Sequence, residues 1–149
     1  MSMLPSGTVT FLFTDIEGST KLWEQHPESM KSALAQHDAI LRAAVEANHG
    51  NVIKTPGDGV HAVFSVAIEA INAALDAQHK LQEPLGDLNI KVRMGLHTGT
   101  AEILPDGKYE GYATIASTQR VISAAHGGQT LLTQTTYDLL QNALPSDVT

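Results

Sequence analysis

The sequence predicts a single α+β domain in which helices pack on a mainly antiparallel β-sheet. Its 149 residues fit one domain with a substantial core. Apolar residues make up 42% and charged residues 17%, as in an ordinary globular protein. Strand-like and helix-like patterns follow the order βαββαββαβα, with hairpins inside it. This order predicts helices on one or both faces of the sheet.

The first strand shows the clearest alternation of the chain. Val9, Phe11 and Phe13 share one face of this strand, which is apolar almost throughout. A long helical pattern follows over residues 21–47. His26-Pro27 predicts an early interruption of that helix, because proline removes a backbone donor and is tolerated only in a first helical turn.

A β-hairpin is predicted next. Residues 51–55 and 60–64 are strand-like and flank a Pro-Gly-Asp-Gly turn at 56–59. The remaining predicted elements are a helix over 65–82, a strand over 90–96 with a kinked continuation to 103, a helix over 114–125, a short strand over 130–133 and a last helix over Gln134–Asn142.

Charge and composition exclude several classes of function. The net charge is −7 with only nine Lys and Arg, which argues against binding to nucleic acid backbones and to anionic membranes. The absence of cysteine excludes disulfides and thiolate catalysis. No apolar run reaches a membrane-spanning length, and the first residues lack the pattern of a secretory signal. A cytoplasmic location is therefore expected.

The segment FTDIEGST, residues 13–20, is the strongest functional signal. Asp15 ends the apolar strand, and the small residues Gly18 to Thr20 lead into the helix. Backbone N–H groups at such a turn form a phosphate-binding cradle. A carboxylate beside that cradle would repel the phosphate unless a divalent metal bridged the two. The segment therefore predicts a metal-bound polyphosphate.

Asp58 is a second candidate ligand. It lies at the predicted hairpin tip between two glycines, where close approach of a ligand is easy. Two aspartates on different loops suit magnesium, which prefers one or two carboxylates together with substrate phosphates. The alternative is that Asp58 is simply a turn residue.

Four segments together resemble a known family. They are FTDIEGST at 13–20, KTPGDG at 54–59, RMGLHTG at 93–99 and AAHGGQTLLT at 124–133. In this order and spacing they are similar to the class III adenylate/guanylate cyclase catalytic domain of bacterial type. The resemblance implies a ferredoxin-like βαββαβ core with additions.

The resemblance also implies a reaction. Two Mg²⁺ or Mn²⁺ ions would be held by Asp15, Asp58 and the backbone carbonyl of Ile16, and ATP would be converted to cyclic AMP and pyrophosphate. The ribose 3′-oxygen would attack the α-phosphorus in line. The backbone of four residues would contact the triphosphate: Glu17, Gly18, Ser19 and Thr20.

Base recognition is implied at two positions. Lys54 matches the lysine that donates to an adenine ring nitrogen in adenylate-forming members, and its alternative is a solvated strand lysine. The second position falls at Lys108 or Tyr109. Neither side chain accepts the adenine amino hydrogen as a carboxylate would.

The third predicted helix departs from the family pattern of an asparagine followed four residues later by an arginine. Counting back from His126 places Ala116 and Arg120 at these positions, and counting forward along the chain places Ile115 and Gln119 there. Neither count supplies the asparagine. Loss of one such donor typically costs about two to three orders of magnitude in rate. Arg120 is the expected charge-stabilising residue, with a surface or dimer-interface role as its alternative.

Active sites of the family form across a head-to-tail homodimer, so a monomer is expected to be nearly inactive. The family's domain continues past the last predicted helix into a further hairpin, so residues 1–149 are expected to be one cyclase domain truncated at its C-terminal end. The main alternative function is a degenerate domain that binds ATP or pyrophosphate and regulates an attached module. A purely structural dimerisation module ranks last, because the metal aspartates are retained.

Overall fold

The computed structural model describes residues 4–140 as an α+β fold, as predicted. Its strands are β1 (Gly7–Ile16), β2 (Asn51–Lys54), β3 (Val60–Phe64), β4 (Val92–Ile103), β5 (Tyr109–Glu110) and β6 (Thr130–Leu132). Its helices are α1 (Ser19–Gln25), α2 (Pro27–Ala47), α3 (Ala67–Lys80), α4 (Tyr112–Ala124) and α5 (Gln134–Leu139).

The sheet has the strand order β2-β3-β1-β4-β5, and β6 pairs with β4. All pairings along this path are antiparallel, and only β6 runs parallel to its neighbour. Strands β1 to β4, with α2 and α3 as crossovers, form a βαββαβ unit in which the first strand lies between the third and the fourth. The ferredoxin-like core with additions is therefore confirmed, and β5, α4, β6 and α5 are the additions.

The chain breaks between α1 and α2 where the sequence predicts it. His26 lies between the two helices, and Pro27 occupies the first turn of α2, where its missing N–H costs nothing. The predicted last helix is present from Gln134 to Leu139, and its predicted end at Asn142 lies outside the described residues.

The predicted kink in β4 is wrong. The strand pairs continuously with β1 over ten residue pairs and runs unbroken to Ile103. Its glycines have a different role, because a Cβ at Gly95 would collide with the backbone of Ile122 and one at Gly99 with the side chain of Thr114. These glycines let α4 approach the sheet closely.

Strand β1 is buried on both faces, and this decides where the site lies. Leu12 and Ile16 face the core that α2 and α3 cover, whereas Phe11 and Phe13 face the core beneath α4. Side chains of a strand alternate between its two faces, so Asp15 lies on the same face as Phe11 and Phe13, which is the face covered by α4.

Within residues 4–140, none of the helices has both the length and the apolar character needed to cross a membrane.

Candidate active site

Asp15 is not a free carboxylate in this structure. It stands directly opposite Arg93 in the β1–β4 register. The Arg93 Nε and Nη2 atoms donate to the two Asp15 carboxylate oxygens at 2.6 and 2.8 Å, and both side chains are 31% exposed. The pair is a bidentate, charge-assisted contact with fixed geometry.

Asp58 is brought to the end of β1 by close packing of the hairpin tip. The Thr14 hydroxyl accepts from the Val60 N–H at 3.0 Å and donates to the Val60 carbonyl at 3.3 Å. A Cβ at Gly59 would collide with the Thr14 carbonyl oxygen. Only glycine therefore allows the tip to lie this close to β1, next to the strand end that carries Asp15.

Arg93 is hydrogen-bonded to Asp15 and is also influenced by the charges of Glu17 and Asp58. The hydrogen bond to Asp15 raises the pKa of Arg93 most, and the charges of Asp15, Glu17 and Asp58 act in the same direction. No cluster of three or more His, Asp or Glu suited to a metal ion is present among residues 4–140. Two carboxylates of this kind fit a hard divalent cation that takes its other ligands from a phosphate and water.

The turn after β1 is fixed by contacts of Glu17. Its backbone N–H donates to the Lys91 carbonyl at 2.9 Å, and its carboxylate accepts from the Gly127 N–H at 3.1 Å. Gly18 has a φ of 68°, in the left-handed region that favours glycine. The Glu17 N–H is already bonded to the Lys91 carbonyl and does not point to a phosphate site. The expected backbone contacts with a triphosphate therefore remain at Gly18, Ser19 and Thr20.

Lys54 lies exposed at the end of β2 and has an unpredicted neighbour. A bulge between Val52 and Lys54 shifts the register, so that His61 of β3 is opposite Lys54. The His61 ring stacks on Phe13 with a centroid distance of 3.7 Å and an interplanar angle of 7°. Burial, and secondarily the Lys54 charge, lower the pKa of His61 to about 4. The imidazole is therefore neutral at pH 7.

Neither position expected to complete base recognition provides a carboxylate acceptor. The Tyr109 hydroxyl donates to the Pro5 carbonyl at 2.6 Å, and burial raises the pKa of Tyr109 to about 12. Its ring packs edge-on against Phe11. Lys108 is exposed in the turn before β5, where its backbone N–H donates to Asp106. An ammonium group offers donors only.

Arg120 forms its described hydrogen bond within its own helix. It is exposed on α4, and its Nη2 donates to the Ser117 hydroxyl at 3.1 Å. The Arg120 charge, after burial, helps to lower the pKa of His97 on β4. Across residues 4–140, Arg120 makes no hydrogen bond or ion pair with Asp15 or Asp58.

A groove beside α4 contains both possible positions of the missing asparagine. Its lining includes both register alternatives and the exposed ring of Tyr112: Leu104, Tyr112, Ile115, Ala116, Gln119 and Arg120. Tyr112 is 88% exposed, which is unusual for a large ring. The structure therefore places Arg120 on an apolar, open surface and leaves the alignment of this helix as two alternatives.

We expect His61 to make the fold sensitive to acid. Below pH 6.5 the unfolded chain binds a proton at this position, whereas the folded pKa is about 4, so stability is lost as pH falls through this window. His61→Phe should reduce the loss of unfolding free energy between pH 7 and pH 5 by about 1 kcal/mol, a value discounted for partial exposure. Thermal melts at the two pH values measure it. The exposed His79→Gln should behave as wild type, and equal acid sensitivity of His61→Phe and wild type would contradict the expectation.

Comparison with known proteins identifies the family. Residues 1–148 match the family described as the adenylate and guanylate cyclase catalytic domain. An uncharacterised protein of Mycobacterium tuberculosis is 42% identical over 146 residues, which cover 96% of this chain and 48% of that protein. An adenylate cyclase of Schizosaccharomyces pombe is 32% identical over 154 residues, covering 84% of this chain and 9% of that protein. The chain belongs to the adenylate and guanylate cyclase catalytic domain family.

Solved structures agree with this assignment. A structure of adenylate cyclases from Trypanosoma brucei in their monomeric state matches with a TM-score of 0.83 and 26% identity, covering 92% of this chain and 76% of that one. The adenylyl cyclase CyaB from P. aeruginosa matches with a TM-score of 0.81 at 20% identity, over 97% of this chain and 85% of that one, and shows the shared fold. The chain spans about half the length of the mycobacterial relatives it matches.

Proposed function

We propose that residues 1–149 form one adenylate cyclase domain, cytoplasmic and homodimeric, that converts ATP to cyclic AMP and pyrophosphate with two Mg²⁺ or Mn²⁺ ions. The observation that carries the proposal is that the hairpin tip bearing Asp58 packs against the end of β1 that bears Asp15. The absence of a side chain at Gly59 is what permits this close packing. Beside the two carboxylates lies a glycine turn whose remaining N–H groups suit a phosphate.

The ions, when bound, neutralise phosphate charge and lower the pKa of the ribose 3′-hydroxyl. Asp15 and Asp58 would hold them through carboxylate oxygens, since each Asp15 oxygen keeps a lone pair beside its hydrogen bond from Arg93. Ile16 contributes only its backbone carbonyl, because its side chain is buried in the core. Gly18 to Thr20 orient the triphosphate. Arg93 holds Asp15 in place and supplies a positive charge next to the phosphates.

The remaining residues of the site are proposed to come from a second copy. Lys54 would donate to an adenine ring nitrogen, and Arg120 would stabilise the negative charge that develops at the α-phosphate. For Arg120 the support is its position, because neither this residue nor its exposed groove has a described contact with the aspartates of the same chain. A dimer would cover the exposed Tyr112 ring and complete the site.

The proposal is tested by incubating the purified domain with ATP and Mn²⁺ and quantifying cyclic AMP. We expect product from the wild type and almost none from Asp58→Ala, because one of the two carboxylate ligands is lost. Circular dichroism should show that the variant is folded, since Asp58 lies at a hairpin tip. Product formed at a rate independent of Asp58 would overturn the proposal.

One observation favours a second candidate, a domain that binds ATP or pyrophosphate without efficient turnover. Ala116 or Ile115, not asparagine, faces the groove beside Arg120. Calorimetry with Mg²⁺ and pyrophosphate should then show metal-dependent binding in a protein that makes no cyclic AMP. Absence of heat with both Mg²⁺ and Mn²⁺ would exclude this candidate.

Ala116→Asn separates the two register alternatives. If Ala116 occupies the ribose-orienting position, the variant should raise the rate of cyclic AMP formation by about tenfold or more, since one preorganised hydrogen bond is restored. Ile115→Asn is the matched control at the other position. A higher rate in Ile115→Asn alone would show that Ile115, not Ala116, occupies the ribose-orienting position. If neither variant is faster than the wild type, the missing asparagine is not what limits the rate.

A further inference from the structure

The recognition of adenine by Lys54 alone would be incomplete. An ammonium group has donors only, so it can bond the adenine ring nitrogen N1 or, with a small shift of the base, the guanine carbonyl O6. Adenine is distinguished by its amino group, a donor, next to N1. A site that selects ATP therefore needs an acceptor beside the lysine. Lys108 offers donors only, and the Tyr109 hydroxyl is held by its bond to the Pro5 carbonyl.

His61 lies where such an acceptor is needed. It is the cross-strand neighbour of Lys54, and both residues stand on the strand face that carries Phe13. The Phe13 ring holds the imidazole flat by stacking at 3.7 Å, which fixes its plane. Phe13 itself is only 2% exposed, so His61 is the outer ring of the stack.

The chemistry of this imidazole suits the role. A neutral imidazole carries one donor and one acceptor nitrogen. The pKa of His61 is lowered by burial and by Lys54 alone, with no hydrogen-bond partner contributing among residues 4–140. The ring is half-buried, so its edge is partly open to a ligand.

We propose that His61 is a base-specificity residue that accepts a hydrogen bond from the adenine amino group while Lys54 donates to N1. This inference rests on the proposed function, because it fixes the position of the base by the Lys54 contact. With that position fixed, guanine would present N1–H to the lysine and O6 to the imidazole acceptor. The lysine contact would be mismatched and the imidazole would have to change tautomer to donate to O6, so ATP is preferred over GTP.

The experiment compares two nucleotides that differ only at the amino group. ATP and purine riboside triphosphate, which lacks that group, are titrated with Mn²⁺ into wild type, His61→Phe and His61→Gln, and GTP is titrated in parallel. His61→Phe keeps an aromatic ring on Phe13 but removes the acceptor. His61→Gln keeps an acceptor oxygen without the ring. Melting temperatures and pyrophosphate affinities of the variants control for folding and for the phosphate site.

In the wild type, loss of the amino group should weaken binding by about tenfold, as for one hydrogen bond to a polar group left unpaired. In His61→Phe the difference in affinity between ATP and purine riboside triphosphate should vanish, and the preference for ATP over GTP should fall by a similar factor. His61→Gln should retain part of that difference in affinity. An unchanged difference in His61→Phe would overturn the inference and leave the cyclase proposal standing. A wild type that binds GTP better than ATP would also overturn it, and binding of no nucleotide would refute both.

Discussion

Two inactive variants, Asp58→Ala and Arg120→Ala, are expected to regain activity when they are mixed. In the proposed head-to-tail dimer each site takes Asp58 from one subunit and Arg120 from the other. Each homodimer has two broken sites and should lose about two to three orders of magnitude in rate. A heterodimer has one intact site, so an equimolar mixture with random exchange should reach about a quarter of the wild-type rate.

The matched control mixes Asp58→Ala with Asp15→Ala. Both changes fall in the same half of the site, so every dimer contains two broken sites and no recovery is expected. Exchange is verified by pulling down a tagged subunit. If heterodimers form and the first mixture stays inactive, Asp58 and Arg120 do not complete one site across the interface.

Gly59→Ala is expected to lower kcat/KM by about a hundredfold, because displacement of a metal ligand by about 1 Å has an effect of this order. The added methyl would collide with the Thr14 carbonyl oxygen. The hairpin tip must then move away from β1 and carry Asp58 with it. The measurement is cyclic AMP formation at several Mn²⁺ concentrations, together with a thermal melt.

Gly57→Asn provides the comparison at the same hairpin tip. Gly57 has a φ of +54° and nothing within 4 Å of an added Cβ, and asparagine tolerates this conformation. The Gly57→Asn variant should therefore keep most of the wild-type cyclase activity. Wild-type kinetics for Gly59→Ala would show that the close approach to Thr14 does not set the position of Asp58.

The sequence predicts well those features that depend on local periodicity. The alternation of Val9, Phe11 and Phe13 places both faces of β1 correctly, and Pro27 marks the break between the first two helices. The predicted kink in β4 is wrong, because the strand pairs with β1 without interruption through Gly99. Gly95 and Gly99 instead make room for α4, a contact between segments distant in the chain.

The two site residues that the sequence did not identify both depend on strand register. Arg93 is within a recognised segment, but its role follows from standing opposite Asp15, 78 positions away in the chain. His61 reaches Lys54 only through the bulge in β2, since a one-residue slip would turn a side chain to the other face. The sequence did contain one signal for Arg93. It is a charged residue within β4, the strand that pairs with the strand of Asp15.

The Asp15–Arg93 pair also bears on whether the domain needs a metal ion in order to fold. A cluster of acidic side chains without a counter-charge repels itself, and many proteins need the metal before they can fold. Here the Arg93 guanidinium balances the Asp15 charge from within the sheet, so folding does not require an ion at this carboxylate. A chelator should then stop turnover and remove only the stabilisation that ion binding itself adds, and the metal-free domain should still unfold in one cooperative transition.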